Sequence, residues 1–498
     1  MVKNKYLALL STFLLPALII FNNNINLISF LTFLNFCIIP IILALIILLI
    51  NLVLSKENNF FLDLAIFFIL TNLLINFLIF GNSFIFIKKF LIINFLVFIF
   101  FLITKLFLKI NFKFYYINYF FVFFFLMTIF LNIKAYLKTD IIKDYDSIFV
   151  TNVFKETNLK QKPDIYHIIP DGMLNLNTLE KYGFPNSKEF KDKLEKVGFR
   201  YYVNSLTNYP ATYFSLSSTL NGSLINENLK FSEKQINQTM YNSRLHEFLI
   251  KNDYKIFWYS HKIWIGSKCN QRLFICMNSS FYDGEYFENY LLLLNINKIW
   301  LDKLYLKFLK KKKVMHLDKI TDDLDIILKE QNPRYIYGYL NTPHGPYSVD
   351  EKCVSILEKS LKENVAFKKK HYFEHVICLK NQIERFASKI KEKNKRPFII
   401  IIQSDTGWAF NADLIEEGRP HPEFPDRLWP STYFDNFLAI SKNFECISGV
   451  EKISNSDLFP IIISCLNDET ISLNNTNKFD VYYSDHPKHG KIYPRKDL

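Results

Sequence analysis

The sequence has no stripe of lysine and arginine interleaved with aromatic side chains, and this removes the signature of a nucleic-acid surface. Its formal net charge is +13, yet the lysines are scattered through a background rich in Lys, Asn and Ile. No internal repeat is evident. Seven cysteines are present, but Cys269 and Cys276, the closest pair, lack the second Cys/His pair that a structural zinc site requires. They flank Asn-Gln-Arg-Leu-Phe-Ile and are candidates for a local disulfide in an oxidising compartment, with two free thiols as the alternative. Cys353 and Cys378 are candidates for a second bridge, and connectivity stays open at this level.

What is abundant is apolar, and it is unevenly placed. Half of the 498 residues are hydrophobic, 51 of them Phe, and residues 1–135 are almost entirely Leu, Ile, Phe and Asn. A bilayer core of ~30 Å takes about 20 apolar residues in a helix. Five stretches are read as spans: Tyr6–Phe21, Ile25–Leu54, Phe60–Phe80, Phe84–Leu108 and Phe114–Ile133. No small-residue cleavage site follows the first, so it reads as retained rather than as a signal peptide. With the N-terminus in the cytoplasm, Lys3, Lys5, Lys56, Lys105, Lys109 and Lys113 lie inside, against Lys88 and Lys89 outside. Five spans then place everything after about Lys134 outside. The spans carry almost no ionisable residues apart from lysines near their ends, which disfavours a transporter. The expected organisation is a transmembrane anchor over 1–135, a linker over 136–160 and an extracytoplasmic domain over 161–498.

Beyond Lys160 the pattern changes to short apolar runs alternating with amphipathic stretches. Asp164–Pro170, Lys255–Tyr259, Tyr335–Leu340 and Phe398–Gln403 read as buried strands. Ser187–Val197, closed by Gly198, and His371–Lys393 read as helices. Such alternation predicts an α/β domain with a parallel or mixed sheet. The run Lys310–Lys313 reads as a solvated turn or juxtamembrane patch.

In open α/β sheets the functional residues gather beyond the carboxyl ends of strands. Asp171 follows the first strand and Asp405 the last, each with Gly directly after it or one residue later. Such carboxylates suit hard divalent cations as well as zinc or manganese. In Asn-Tyr-Pro-Ala-Thr-Tyr-Phe-Ser, Pro210 is placed to open a helix and Thr212 falls in its first turn. There free N–H groups and the dipole favour an anion, and a hydroxyl beside a cation is a route to an activated nucleophile. The plainer reading makes Thr212 a helix cap. His344 lies between prolines in the loop after an apolar strand, within reach of a substrate oxygen or a leaving group.

These pieces, PDIYHIIPDGM, then YGFPNSKEFKDKLEKVGFRYYVNSLTNYPATYFSLSSTLNG, YLNTPHGPY and FIIIIQSDTGW, resemble in order the sulfatase-like branch of the alkaline phosphatase superfamily. That branch includes membrane-anchored phosphoglycerol and phosphoethanolamine transferases. The resemblance covers about residues 160–445 and implies a central mixed sheet flanked by helices, with one or two divalent ions (zinc, manganese, magnesium or calcium). It implies Asp171 and Asp405 as metal ligands, Thr212 as ligand and covalently modified nucleophile, and His344 as the substrate contact. It further implies a multi-pass protein of the cell (inner) membrane, acting outside the cytoplasm on phosphate or sulfate esters of lipid head groups or envelope glycans. One departure stands out: Thr406 occupies the place of the histidine in the family's Asp-His-Gly motif. A hydroxyl is a weak ligand beside an imidazole, so the change lowers metal affinity, favours a harder ion or abolishes turnover. In the last case the domain is a scaffold in envelope assembly. His421 is a conceivable substitute ligand, and Asp485, His486 and His489 form another ligand-rich cluster.

Overall fold

The computed structural model describes residues 148–494 with breaks at 155–157, 229–230, 260–268, 271, 278–316, 341, 345–346, 348, 355–364, 409–430, 448, 471–478 and 484–488, together with Leu14, Cys37, Ile41 and Leu45. Apart from those four residues the expected spans lie outside the described residues, as do Lys310–Lys313, His421, Asp485 and His486. Among the described residues no helix is long and apolar enough to cross a membrane. The chain divides into two compact units, Met1–Asp140 with Ser279–Lys312, and Ile141–Asn278 with Lys313–Leu498. All elements below belong to the second.

Its centre is a seven-stranded sheet. The strands are β1 (Asp164–Pro170), β2 (Phe199–Tyr201), β3 (Lys255–Tyr259), β4 (Ile275–Cys276), β5 (Arg334–Leu340), β6 (Phe398–Gln403) and β7 (Leu438–Ser441), in the order β2-β7-β6-β1-β5-β3-β4. The five strands from β6 to β4 run parallel, while β7 is antiparallel to both β6 and β2. Every residue of β1 and β5 is buried. That is why these strands read as continuous apolar runs instead of alternating ones: a parallel sheet covered on both faces has no wet side.

The two faces are covered differently. Tyr166, Ile168, Ile336, Leu340, Ile400 and Ile402 share one apolar core with Phe190 and Leu194 of α1 (Ser187–Lys196). Ile320 of α4 (Leu317–Asp322) and Tyr372, Val376, Leu379, Ile383 and Phe386 of α5 (Val365–Lys393) complete it. α1 stops where expected, with Gly198 taking φ +84° just past its cap, a conformation glycine adopts without steric cost. The opposite face is aromatic and polar. His167, Tyr335, Tyr337 and Trp258 meet His246 of α3 (Arg244–Lys251) and Phe459 of α6 (Leu458–Leu466). On this side α2 (Thr212–Asn221) is buried along nearly its whole length.

Three disulfides staple the unit: Cys269–Cys276 beside the edge strand β4, Cys353–Cys378 between the loop after β5 and α5, and Cys446–Cys465 into α6. The third has no counterpart among the pairs considered from sequence, because its cysteines lie in separate segments with no spacing motif.

Candidate functional site

Strands β6, β1 and β5 are neighbours, so the loops at their carboxyl ends converge. β1 ends at Pro170, and the amide of Asp171 still donates to the carbonyl of Leu340 on β5 (2.9 Å). Gly172 then turns the chain at φ +65° and sends its N–H to Asp405 Oδ1 (2.9 Å). The amide of Thr406 donates to the same oxygen (2.8 Å), and the Thr212 hydroxyl donates to Asp405 Oδ2 (2.7 Å). Asp171, Thr212, Asp405, Thr406 and His344 are thereby brought together at one end of the sheet.

Thr212 is the first residue of α2, and the N-cap is Ala211, which offers no side-chain cap. The hydroxyl of Thr212 therefore faces the carboxylate instead of capping its own helix. It sits where the helix dipole favours negative charge. A buried layer of amides and hydroxyls holds this arrangement from below. Ser215 Oγ donates to the carbonyl of Asp405 (2.5 Å), and Asn455 Nδ2 donates to that carbonyl (3.1 Å), to that of Ser404 (3.2 Å) and to Ser215 Oγ (3.1 Å). Ser404 Oγ accepts from the Met173 amide (2.9 Å) and donates to the Thr406 carbonyl. Helix α2 and the β6 loop are thus tied to one another and to the turn after β1.

The electrostatics are unbalanced. Burial pushes the Asp405 carboxyl up to about 7, and the neighbouring Asp171 carboxylate adds to the shift, against hydrogen bonds from Gly172, Thr212 and Thr406 that lower it. Asp171, half-buried, is also raised by desolvation, with His344 and a hydrogen bond from Tyr339 acting the other way. Two carboxylates held this close favour having one proton or one cation between them. The carboxylates of Asp171 and Asp405 and the Thr212 hydroxyl offer oxygen donors of the kind that suit a hard divalent ion. Among the described residues no group of three or more His, Cys, Asp or Glu gathers for a metal, and Thr406 touches Asp405 through its backbone amide.

At the mouth, the amide of His344 donates to the carbonyl of Asp171 (3.2 Å), and its ring meets Trp408 edge to face at 4.3 Å between centroids. Trp408 also packs against Tyr433. The turn that delivers it requires Gly407, since a Cβ there would stand 2.0 Å from the carbonyl oxygen of Thr432. Sequence reasoning missed Tyr339, Trp408, Ser215, Ser404 and Asn455. Tyr339 lies close enough to Asp171 and Asp405 for their charges to raise its phenol, but in the run Tyr-Ile-Tyr-Gly-Tyr-Leu it reads as one more strand aromatic. The Cys269–Cys276 pair lies at the sheet edge, on a strand separated from β1 by β3 and β5. His489 falls in a strand, His489–Pro494, of a separate three-stranded sheet.

No protein-family model matches the chain, and no curated protein sequence does. Solved structures similar to it include the C-terminal periplasmic domain of EptC from Escherichia coli in complex with zinc (12% identity, 70% of this chain and 96% of that one, TM-score 0.41). Another is the corresponding domain of the phosphoethanolamine transferase EptC from Campylobacter jejuni (13% identity, 63% and 96%, TM-score 0.42). A third is the integral membrane lipooligosaccharide phosphoethanolamine transferase EptA from Neisseria meningitidis (11% identity, 76% and 69%, TM-score 0.41).

Proposed function

We propose that this protein is a metal-dependent transferase or hydrolase of phosphate or sulfate esters that works through a covalent ester on Thr212. The observation that carries the reading is the Thr212 hydroxyl, at a helix N-terminus, donating to Asp405 at 2.7 Å while Asp405 faces a second carboxylate. A lone threonine at a helix start is ordinary; one bonded to a carboxylate that faces a second carboxylate, with no lysine or arginine bonded to either among the described residues, is a poised nucleophile. Asp171 and Asp405, with Thr212, would hold the cation, which supplies positive charge at the reacting oxygens. Thr212 attacks the phosphorus or sulfur in line, the leaving oxygen departs with its electron pair, and water or an acceptor hydroxyl then resolves the ester. His344, half-buried at the mouth, contacts the ester oxygens or the leaving group. Three disulfides in one unit favour an oxidising, extracytoplasmic compartment, and the apolar first 135 residues make a lipid head group or envelope glycan the natural substrate.

The test is metal content of the purified full-length chain, beside Asp405→Ala, with ester turnover measured for wild type and Thr212→Ala. The expected outcome is about one equivalent of divalent metal, lost in Asp405→Ala, and turnover lost in Thr212→Ala. Folded wild-type protein that takes up no metal and turns over no ester overturns the reading. It leaves the scaffold alternative, which the threonine at 406 favours.

A further inference from the structure

Helix α2 reaches Asp405 twice. Thr212, its first residue, donates to the carboxylate at Oδ2 (2.7 Å), and Ser215, one turn on, donates to the carbonyl oxygen of the same residue (2.5 Å). Residues three apart share a helix face, so one face of α2 grips the β6 loop by side chain and by backbone. Ser215 is fully buried. Its oxygen is held by Thr207 Oγ1 (2.8 Å) and by Asn455 Nδ2 (3.1 Å), which also donates to the Asp405 carbonyl (3.1 Å). Among the described residues these two are the direct hydrogen bonds from α2 to Asp405. We propose that Ser215 is a positioning residue for the second chemical step, holding the first turn of α2 on the β6 loop while Thr212 carries the ester. The inference rests on Thr212 being the nucleophile and assigns the group that keeps its ester in line.

The two bonds do not survive the reaction equally. In the first step the Thr212 oxygen bonds to phosphorus or sulfur, its proton passes to solvent, and the leaving oxygen departs with its electron pair. The esterified oxygen has no proton to give, so its bond to Asp405 Oδ2 is lost. Ser215 keeps both proton and acceptor, because neither its hydroxyl nor the Asp405 carbonyl takes part in bond making. In the second step the acceptor oxygen bonds to phosphorus or sulfur, the bond to Thr212 breaks, and its pair returns to Thr212. The proton the acceptor loses replaces the one Thr212 gave up. That displacement needs the acceptor oxygen, the reacting atom and the Thr212 oxygen in line, where a misplacement of ~1 Å can cost about 100-fold in rate. Before the ester forms, Thr212 holds Asp405 without help; afterwards Ser215 is the direct link that remains. Loss of the Ser215 hydroxyl therefore spares formation of the ester and slows its breakdown.

The test uses Ser215→Ala in full-length protein, supplied in turn with zinc, manganese and magnesium, on bis(p-nitrophenyl) phosphate and p-nitrophenyl sulfate. On the ester that wild type turns over, kcat should fall by about 10-fold. The ratio kcat/KM should hold, because it is set by the step that releases p-nitrophenolate and forms the ester. The Thr212 peptide carrying the ester should accumulate, as read by mass spectrometry of acid-quenched protein. Ser218→Ala is the control. Ser218 lies on the same helix and donates to the Ser223 carbonyl (2.7 Å), so the variant loses a buried bond of the same kind and should accumulate no ester. Ser215→Cys, with a weaker donor, should fall between Ser215→Ala and wild type, and it carries the test alone where Ser215→Ala does not fold. A Ser215 variant that loses kcat and kcat/KM together, or keeps both, overturns the role of Ser215, as does equal accumulation in Ser218→Ala. Folded wild type that turns over neither ester, or turnover that persists in Thr212→Ala, overturns it together with the reading of Thr212 as nucleophile.

Discussion

Strand β1 has an aspartate at each end, and the two are treated in opposite ways. Asp164, fully buried at the amino end, receives Arg334 through Nη2 (2.6 Å), Nε (3.0 Å) and the backbone amide (3.0 Å), with Asn394 Nδ2 (3.0 Å) and, farther off, Arg396 Nε (3.7 Å) beside it. Asp171, one residue past the carboxyl end, faces Asp405 with no lysine or arginine bonded to either carboxylate among the described residues. Burying a carboxylate is costly unless a cation or a full set of donors meets it. At the amino end the chain supplies its own cation and joins β1, β5 and the turn before β6. At the carboxyl end the described residues supply amides and hydroxyls and no lysine or arginine. The same residue type in one strand is structural where its charge is answered and reactive where it is not.

The largest expected effect comes from breaking the answered end. Arg334→Met leaves Asp164 only the more distant Arg396 Nε (3.7 Å) as a cation, and the unfolding free energy should fall by about 3 kcal/mol in denaturant titration. Adding Asp164→Asn should recover most of that loss, because the cost lies in the unpaired charge.

The reverse holds at the reactive end. The Asp405 carboxyl, raised to about 7, has an ordinary value near ~4 when unfolded. Between those values the folded, metal-free protein binds more protons than the unfolded chain, so this group's contribution to stability falls as pH rises through that window. Asparagine has no such titration. It keeps a carbonyl oxygen for Gly172 and Thr406, and its amide can donate to the Thr212 hydroxyl. In chelator, Asp405→Asn should therefore be more stable than wild type at pH ~7.5 by about 2 kcal/mol, with the gap closing toward pH ~4.5. His167 and His246, lowered by burial to about 4 and about 3, titrate in both proteins and cancel in the difference. A variant less stable than wild type across the whole range would mean that Asp405 is answered by its hydrogen bonds alone.

Much of this contrast is legible in the sequence, and some of it is hidden for a physical reason. β1, β3, β5 and β6 announce themselves because a strand buried on both faces has to be apolar throughout. Asp171 and Asp405 stand out because each ends such a run beside a glycine. Thr212 is visible through the proline two residues before it. Tyr339 is not, because its position differs from that of Tyr335 only in how far along β5 it lies, and that is set by register with β1. Asn455 and Ser215 meet Asp405 across 50 and 190 residues, and no local pattern encodes such contacts. Arg334 begins its strand as an unremarkable charge, and only folding shows which aspartate it answers.

The smallest expected effect comes from moving the answered pair into water. Arg385 of α5 holds Asp318 of α4 through Nη2 at 2.8 Å to both carboxylate oxygens and through Nε at 3.2 Å. Its contacts resemble those between Arg334 and Asp164. The side chains differ in exposure, 52% and 37% for Arg385 and Asp318 against 3% and 0% for Arg334 and Asp164. Solvent already stabilises the outer charges apart, so Arg385→Ala should cost at most about 1 kcal/mol. Added salt should shrink even that, while leaving the Arg334→Met penalty in place. If the two arginines proved equally costly, burial would not be what separates a structural carboxylate from a reactive one. The unpaired Asp171 and Asp405 would then lose their strongest claim to a bound cation.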